Sequence, residues 1–574
     1  MSPKGLSTRL CNPLYVDPGE YDANNFLDAI GERDIWKENH SSTKGSIDII
    51  EEWLNECDRD HDECRHLNAP QLPTRLIDVG TLQDETPINL RLSTQFTNTS
   101  QRYLRYAALS HCWGSAPQLI KLTTHNYDSF QNHIPFDNLP KTFQDAIAIT
   151  RRLNIRYLWI DSLCILQDDK VDWSYEAAQM ASVYMNAHVT LAASASSEGW
   201  QGLFYPHSET ISLNIDLSTQ QASAYNLVSP YTLFIKEDDA FQSPYRGMPL
   251  HERGWVLQEW LLSRRVVSFT DSQLHWKCWS CFRTEDGLTY RAQTNSIDIP
   301  KPGALLSDIY NCWRIWSQDY SRRILSHQSD KMAALAGLTR YIQHLTNDEP
   351  LIGLWKQNLT VDLLWERDFG PAPQTRDNAF PSWTWMCLPC KPMHNHSHLR
   401  ITGSSFEFVE QRIRWSGEAL TSNLELADLV LRAKVLPCVL RKNPEAIVST
   451  QTIGTIESGQ TFIGNSKFDL IDQCPENLDA HCILIAQCRV QYERAGSRRY
   501  RSSKSFKALH QKHVTREDPE LWERLFYRVL ITTPVDAKEG IFTRIGVGTI
   551  GYQDEDKPLL DPYKCVKSKV IILR

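Results

Sequence analysis

The chain has 574 residues, of which 41% are hydrophobic, and its 61 basic and 69 acidic residues give a formal charge of −8. This length excludes a small disulfide-stapled module and predicts two or three domains. The negative charge argues against a nucleic acid bound through its phosphates, and no run approaches the roughly 20 apolar residues of a membrane span.

Four regions follow one another along the chain. Residues 1–100 are predicted as an N-terminal lead-in region that contains a helical stretch, "SIDIIEEWLNECDRDHDEC". Residues 101–290 alternate between strand and helix patterns, and residues 291–380 show tryptophan and leucine at helical spacings. Residues 381–574 consist mainly of short β-type runs such as "HCILIAQCRVQY". The sequence therefore predicts an α/β domain, a helical segment and a β-rich C-terminal domain.

The region from Tyr103 to Ser197 gives the clearest pattern. Three apolar strands, "YLRYAALS", "RYLWID" and "HVTLAASAS", alternate with two helices, "KTFQDAIAITRRLN" and "DWSYEAAQMASVYMN". Thr142 and Asp145 have the spacing of a capping box for the first helix, and Asp172 is placed to cap the second. Nearly continuous apolar strands predict a parallel sheet with both faces covered.

Small polar residues follow each of these strands. In open parallel α/β sheets, ligands bind beyond the carboxyl ends of the strands. The rule brings together Ser110, His111, Trp113 and Gly114 after the first strand and Asp161 after the second. They are candidate substrate-binding residues, although strand ends also carry polar residues simply because they reach water.

Glu176 is the candidate catalytic residue. At helical spacing, Trp173, Ala177, Met180 and Tyr184 form one apolar stripe, and Glu176 lies at its edge near the helix N-terminus. Partial desolvation by Trp173 and Met180 would raise the pKa of Glu176, and the helix dipole would oppose that rise. The alternative is an ordinary solvated glutamate of the first helical turns.

The fifteen scattered cysteines and the lack of an apolar leader in "MSPKGLSTRLCNPLY" predict a reducing, cytoplasmic location. Several cysteines and histidines could supply metal ligands: the "CLPCKPMHNHSH" segment with Cys387, Cys390, His394, His396 and His398, the pair Cys278 and Cys281, and the trio Cys57, His61 and Cys64. No pairing has the compact spacing of a known zinc finger, so no metal ligand is assigned.

Two further motifs are set aside. "GVGTIG" at Gly546–Gly551 matches G-x-G-x-x-G, but the charged, proline-broken sequence after it cannot begin the helix that receives a pyrophosphate. The basic, serine-rich stretch from Arg494 is interpreted as a solvated loop.

Three blocks of residues 103–265 resemble one known family. "YAALSHCWGS", the long block from "LPKTFQDAIAI" to "VTLAASAS", and "RGWVLQEWLLSRRVV" are similar, in this order, to the signature blocks of the fungal heterokaryon-incompatibility (HET) domain. The resemblance implies a role in non-self recognition, in which contact between unlike fungal cells leads to programmed cell death. It also implies an incompatibility partner protein or self-association.

HET domains are considered distant relatives of Toll/interleukin-receptor (TIR) domains, which are flavodoxin-like α/β modules, some of which hydrolyse NAD. The resemblance implies a catalytic glutamate in a W-x-x-E segment, and Trp173 and Glu176 have that spacing. It further implies that Trp113 stacks on a base and that Ser110 and Gly114 meet a phosphate. NAD would then be a substrate, and no cofactor is expected.

Two other functions stay open. The domain could be a non-enzymatic signalling module that acts by self-association. Alternatively, a HET-like scaffold could serve as an enzyme of small-molecule biosynthesis, with its pocket between the α/β domain and the tryptophan-rich region that follows it.

Overall fold

The structure is a computed structural model, and it describes most of the chain from Lys44 onwards. The described residues are 44–65, 71–83, 87–96, 104–114, 120–205, 211–215, 231–235, 245, 247–285, 289–291, 299–368, 372–389, 391–393, 400–443, 451–457, 461–471, 475–492, 522–551, 563 and 565–574. Outside these residues lie Cys390, His394, His396 and His398, and also the basic stretch that begins at Arg494.

The first part of the chain alternates helices and strands. Its helices are α1 (Lys44–Asp60), α2 (Tyr127–Asn132), α3 (Lys141–Arg152), α4 (Asp161–Cys164), α5 (Lys170–Asn186) and α6 (Val256–Leu262). Its strands are β1 (Arg75–Asp78), β2 (Asn89–Leu92), β3 (Tyr106–Ser110), β4 (Tyr157–Ile160), β5 (Val189–Ala192), β6 (Ile211–Ile215), β7 (Tyr231–Ile235), β8 (Arg265–Phe269), β9 (Leu274–Cys278), β10 (Cys281–Thr284) and β11 (Thr289–Arg291).

Four parallel strands form the centre of the first sheet, in the order β8-β5-β3-β4. The three predicted strands are β3, β4 and β5, so the α/β prediction is confirmed here. Successive residues of β8 point to opposite faces, and Val266 belongs to one hydrophobic core while Val267 belongs to the other. Both faces of the sheet are therefore covered, as the apolar strands predict.

The prediction of a wholly parallel sheet is wrong at both edges. Beyond β4, the strands β1 and β2 pair in antiparallel fashion, and beyond β8 the strands β9, β10 and β11 do the same. The sheet is therefore mixed and has nine strands. Residues 44–96, predicted as a lead-in region, contribute β1 and β2 to this sheet. They also contribute α1, which packs against the sheet: the ring of Trp53 in α1 lies 6.0 Å from that of Trp276 in β9.

The helical segment follows. It contains α7 (Leu306–Tyr320), α8 (Ala333–Thr346) and α9 (Leu359–Asp362), with short strand pairs β12 (Pro350–Leu351) with β13 (Leu354–Trp355), and β14 (Glu366–Arg367) with β15 (Pro392–Met393). Its tryptophans share one core with α6 and with the C-terminal strands, and each is at most 3% exposed: Trp313, Trp316, Trp355, Trp365, Trp383 and Trp385. These rings fill the space between the first sheet and the C-terminal region.

The C-terminal region is a second β-sheet. Its strands are β16 (Arg400–Ser404), β17 (Phe406–Trp415), β18 (Leu424–Lys442), β19 (Gln451–Thr455), β20 (Thr461–Phe468), β21 (Leu478–Tyr492), β22 (Trp522–Asp536), β23 (Ile541–Gly551) and β24 (Ser568–Leu573). The pairings β18-β21-β22-β23-β20-β19 return to β18, so the sheet closes into a ring. The rejected "GVGTIG" motif is the end of β23, which agrees with its rejection as a dinucleotide loop.

Short 3₁₀-helices complete the described elements: Asp62–Cys64, Ser93–Gln95, Phe136–Asn138, Pro249–Glu252, Gln328–Lys331 and Trp385–Cys387. Among the described residues, none of the helices combines the length and the apolar character that crossing a bilayer requires.

Two predicted helix caps are wrong. Thr142 and Asp145 do not cap α3, because the helix begins before them at Lys141 and both side chains are buried within it. Asp169, rather than Asp172, caps α5, since its carboxylate accepts hydrogen bonds from the backbone of Val171 and Asp172. The helix begins two residues earlier than predicted, which leaves Asp172 inside it and free to pair with another strand.

Candidate functional site

The carboxyl ends of the parallel strands carry a row of buried polar side chains. Ser110 ends β3, Asp161 follows β4 directly, and Ser194 follows β5. From β3 the chain first forms β4 on one side and then crosses back to form β5 on the other side. The strand order therefore reverses at β3. Open α/β sheets bind their ligands at such points. The geometry of this row therefore defines the candidate site.

A buried glutamate lies at the centre of the row. Glu259 on α6 is 4% exposed and accepts a 2.6 Å hydrogen bond from the hydroxyl of Ser110, itself 2% exposed. Burial raises the pKa of Glu259, while the positive charge of Arg253 and the Ser110 hydrogen bond oppose the rise. Arg253 also donates to the backbone oxygen of His111. This arrangement fastens α6 to the end of β3.

His111 is neutral in this environment. Its ring is 2% exposed and packs edge-on against Phe143, with 4.9 Å between ring centroids. Burial lowers the pKa of His111 to about 4, with the nearby Asp161 carboxylate opposing and Arg253 reinforcing the shift. The Nδ1 atom lies 3.7 Å from Asp161 Oδ1, which is too long for a hydrogen bond, and neither ring nitrogen has a partner among the described residues.

Trp113 and Asp161 are joined directly. The indole Nε1–H of Trp113 donates a 2.7 Å hydrogen bond to Asp161, whose other oxygen accepts from the backbone of Ser162. Gly114 has a φ of +75°, and a Cβ at this position would lie 3.1 Å from the side chain of Glu198. Glycine is therefore required both by the backbone conformation and by the close approach of the segment after β5.

Glu176 lies further along the same edge, beyond β4. The antiparallel register of β1 and β4, continued by two residues, brings Arg75 level with Ile160 at the carboxyl end of β4. The Arg75 guanidinium donates to Glu176 Oε1 at 3.5 Å and forms an ion pair with Asp172. The side chains of Arg75 and Glu176 are 3% and 2% exposed. Glu176 is thus a buried, paired carboxylate rather than a solvated one.

The environment of Glu176 changes its protonation. Burial raises the pKa of Glu176, and the hydrogen bond from Thr74 and the charge of Arg75 oppose that rise. The apolar stripe is confirmed, because Ala177, Met180 and Tyr184 are buried beside it. Trp173 is partly buried and packs against the same core. The desolvation expected from the sequence is therefore present.

The predicted site residues form two neighbouring groups. Ser110, His111, Trp113, Gly114 and Asp161 lie together after β3 and β4, whereas Glu176 and Trp173 lie on α5. The hydrogen-bond and ion-pair partners that the described part of the chain offers Glu176 are on and before β1. Cys164 lies between the groups, since its pKa responds to Arg75, Glu176 and Asp161 together.

Three residues of this edge were not found from the sequence. Arg75, Arg253 and Glu259 hold the two groups in place, yet their partners are far away along the chain. Arg75 and Glu176 are 101 positions apart, and Ser110 and Glu259 are 149 positions apart. One signal was present: Glu259 is the one charged residue in the run "VLQEWLL", all of which is buried. A charged residue in such a run indicates a specific buried partner.

Comparison with known protein families identifies this part of the chain. Residues 106–259 match the family model for "Heterokaryon incompatibility protein (HET)". The curated proteins and the solved structures gave no match. The matched range begins at β3 and ends at Glu259, so it contains β3, β4 and β5, three of the four parallel strands, and every predicted site residue. Residues 106–259 of the chain are therefore a heterokaryon-incompatibility (HET) domain.

Proposed function

We propose that this chain acts in heterokaryon-incompatibility-type non-self recognition and that its HET domain brings about cell death by hydrolysing NAD. The HET match supports the first part of the proposal. The second part rests on the burial of Glu176 at the W-x-x-E spacing, beside the carboxyl edge of a parallel sheet. Numbered within the HET domain, the parallel strands follow the order 2-1-3-4, which is typical of flavodoxin-like folds and supports a TIR-like relationship.

The reaction needs one carboxylate. Water replaces nicotinamide at the ribose carbon, so that the carbon–nitrogen glycosidic bond breaks, a carbon–oxygen bond forms, and nicotinamide, ADP-ribose and a proton are released. The transition state has oxocarbenium character, and a carboxylate close to the ribose stabilises its positive charge. Glu176 supplies this carboxylate. Trp113, Ser110 and the backbone at Gly114 supply an aromatic face and hydrogen-bond donors for the rest of the nucleotide.

The structure corresponds to a resting state under this proposal. Glu176 is 2% exposed and faces Arg75, so the carboxylate has to leave this contact before it can reach a ribose. The long 3.5 Å contact between Arg75 and Glu176 is weaker than the pairing of Arg75 with Asp172, whose second contact measures 3.2 Å. A trigger that turns the Glu176 side chain away from Arg75 would therefore release its carboxylate while Arg75 keeps Asp172.

Expression of the full chain in fungal cells tests the proposal. We expect the NAD pool to fall before the cells die, and we expect Glu176→Gln to abolish both effects, because the amide cannot stabilise a positive charge. Glu52→Gln, on the exposed face of α1, is the matched control and should behave as the unmodified chain. Death at an unchanged NAD level, or death that persists in Glu176→Gln, would contradict NAD hydrolysis.

One observation favours a second function, signalling by self-association without catalysis. Val171 and Tyr175 lie one turn apart on the outer face of α5 and are 80% and 57% exposed. Neighbouring exposed apolar side chains on a helix favour contact with a second copy of the chain. Light scattering should then show assembly that is lost in Val171→Asp with Tyr175→Ser and kept in Val535→Asp, which changes a 60% exposed valine of β22.

A further inference from the structure

Four metal-ligating side chains converge where α1 meets the end of β9. Cys57 lies in α1, His61 and Cys64 follow the end of that helix, and Cys278 ends β9. The Sγ and imidazole nitrogen atoms of these four residues all lie within 4.8 Å of one another. His61 and Cys278 are 217 residues apart in the sequence, so the fold, and not local spacing, brings the set together.

The distances fit a tetrahedral metal. Ligand atoms about 2.3 Å from a central Zn²⁺ lie roughly 3.8 Å from one another in a regular tetrahedron, and slightly less when one ligand is a nitrogen. Cys278 Sγ lies 3.4 Å from His61 Nδ1 and 3.6 Å from the sulfur of a fifth candidate, Cys281. The sulfur–sulfur distance is far longer than the roughly 2.05 Å of a disulfide bond.

Hydrogen-bond donors point at two of the sulfur atoms. The backbone N–H groups of Ser280 and Cys281 donate to Cys278 Sγ at 3.4 and 3.3 Å. The Nε–H of Arg265 donates to Cys57 Sγ at 3.2 Å. Donors of this kind stabilise thiolates and orient them toward a metal. They form the outer layer of polar groups that a metal site needs.

Charge and burial are also consistent with a metal. Cys57, Cys64 and Cys278 are at most 3% exposed, and Arg265 is 1% exposed. Three thiolates and one neutral imidazole around Zn²⁺ carry a net charge of minus one, and the guanidinium of Arg265, which also pairs with Asp58 at 2.6 Å, lies beside them. Thiolate and imidazole together favour Zn²⁺ over the oxygen-seeking Mg²⁺ and Ca²⁺.

We propose that Cys57, His61, Cys64 and Cys278 bind one structural Zn²⁺ that fastens α1 to the HET-domain sheet. Four protein ligands complete a tetrahedron and leave no position for a substrate, as in structural rather than catalytic zinc sites. Contacts on either side reinforce the junction: Arg283 pairs with Glu56 at 2.6 Å, and Ser46 donates to Glu285 at 2.5 Å. Metal binding therefore contributes folding free energy at the start of the domain.

Metal analysis of the purified full chain tests the proposal. We expect about one zinc per chain, and we expect Cys278→Ser to lose most of it. Cys482→Ser is the matched control, because Cys482 is a buried thiol whose sulfur lies 3.5 Å from that of Cys438 in the C-terminal sheet. Its zinc content should equal that of the unmodified chain. A full chain purified without zinc, or a Cys278→Ser variant that keeps it, would overturn the proposal.

Cobalt substitution of the unmodified chain gives a second measurement that does not depend on a variant folding. Co²⁺ at this site should show the charge-transfer band of thiolate ligation and the intense visible bands of tetrahedral coordination, and added Zn²⁺ should displace both. The weak spectrum of six-coordinate Co²⁺ would overturn the proposal. A disulfide between Cys278 and one of the other cysteines would do the same, if mass spectrometry under non-reducing conditions finds it in a chain that was purified with a reductant.

Discussion

Glu176 and Glu259 are both buried at the carboxyl edge of the HET-domain sheet, but their surroundings differ. Glu259 lies at the centre of the edge, accepts a short hydrogen bond from Ser110, and belongs to a helix whose seven residues are all buried. Glu176 lies at the side of the edge, holds Arg75 at 3.5 Å, and belongs to a helix with one exposed face. Glu259 is therefore built into the domain, whereas Glu176 is held by a hydrogen bond from Thr74 and by a long contact to Arg75.

This difference distinguishes a carboxylate that stabilises the fold from one that can take part in a reaction. A carboxylate that joins α6 to β3 cannot move without disturbing the core that α6 shares with the helical segment. A carboxylate held by a threonine and by an arginine that has a second acid to pair with can be released. We therefore assign the structural role to Glu259 and the proposed catalytic role to Glu176, and the predictions below test this division.

The largest effect is expected from Arg75→Met. The change leaves the buried Glu176 and the partly buried Asp172 without a cation, and breaking a buried ion pair from one side costs about 3 to 5 kcal/mol. Chemical denaturation should show this loss in the free energy of unfolding. Arg75→Lys keeps the charge and should lose less, and a full loss in both variants would show that packing, not charge, holds the pair.

Glu259→Ala should come next, at about 2 to 3 kcal/mol, because it leaves the Ser110 hydroxyl without its acceptor and opens a cavity under α6. Glu259→Gln keeps an oxygen that can accept from Ser110 and should be much milder. Denaturation curves of both variants check this order. An alanine variant as stable as the unmodified chain would remove the structural role of Glu259.

His111, between the two glutamates, should make stability depend on pH. Its pKa is about 4 in the folded chain and about 6.5 when unfolded, so the unfolded state binds more protons between these values. Its contribution is present above about pH 6.5 and is lost as pH falls, by about 2 kcal/mol at pH 5. In His111→Gln, the free energy of unfolding should change less between pH 7 and pH 5 than it does in the unmodified chain. An equal change in both chains would contradict this role of His111.

The smallest effect is expected at the start of α5. Asp169→Ala removes the N-cap and should cost about 1 kcal/mol in the free energy of unfolding. It would also loosen the helix end that carries Asp172 and Glu176. Asp168→Ala, which removes a contact to the exposed Thr124, is the control and should cost less in the same measurement.

The sequence predicted β3, β4, β5 and the helices between them because buried strands and helices have different apolar periods. It did not predict the antiparallel edges, since β1 and β9 pair with strands that their own residues do not specify. Asp169 and Asp172 are three residues apart in the sequence. The sequence does not show that Arg75 pairs with Asp172 and that Asp169 caps α5. The cysteine and histidine cluster was missed as a set because two distant segments supply it.

NAD cleavage by the purified chain tests the division between the two glutamates most directly. We expect Glu176→Gln to abolish cleavage while its free energy of unfolding stays close to that of the unmodified chain. We expect Glu259→Gln to cleave NAD at a normal rate per folded molecule. A small fraction of the chains should have Glu176 released even without a trigger, so a high protein concentration should reveal slow cleavage. Cleavage unaffected by Glu176→Gln, or NAD left intact at that concentration, would contradict the catalytic role of Glu176.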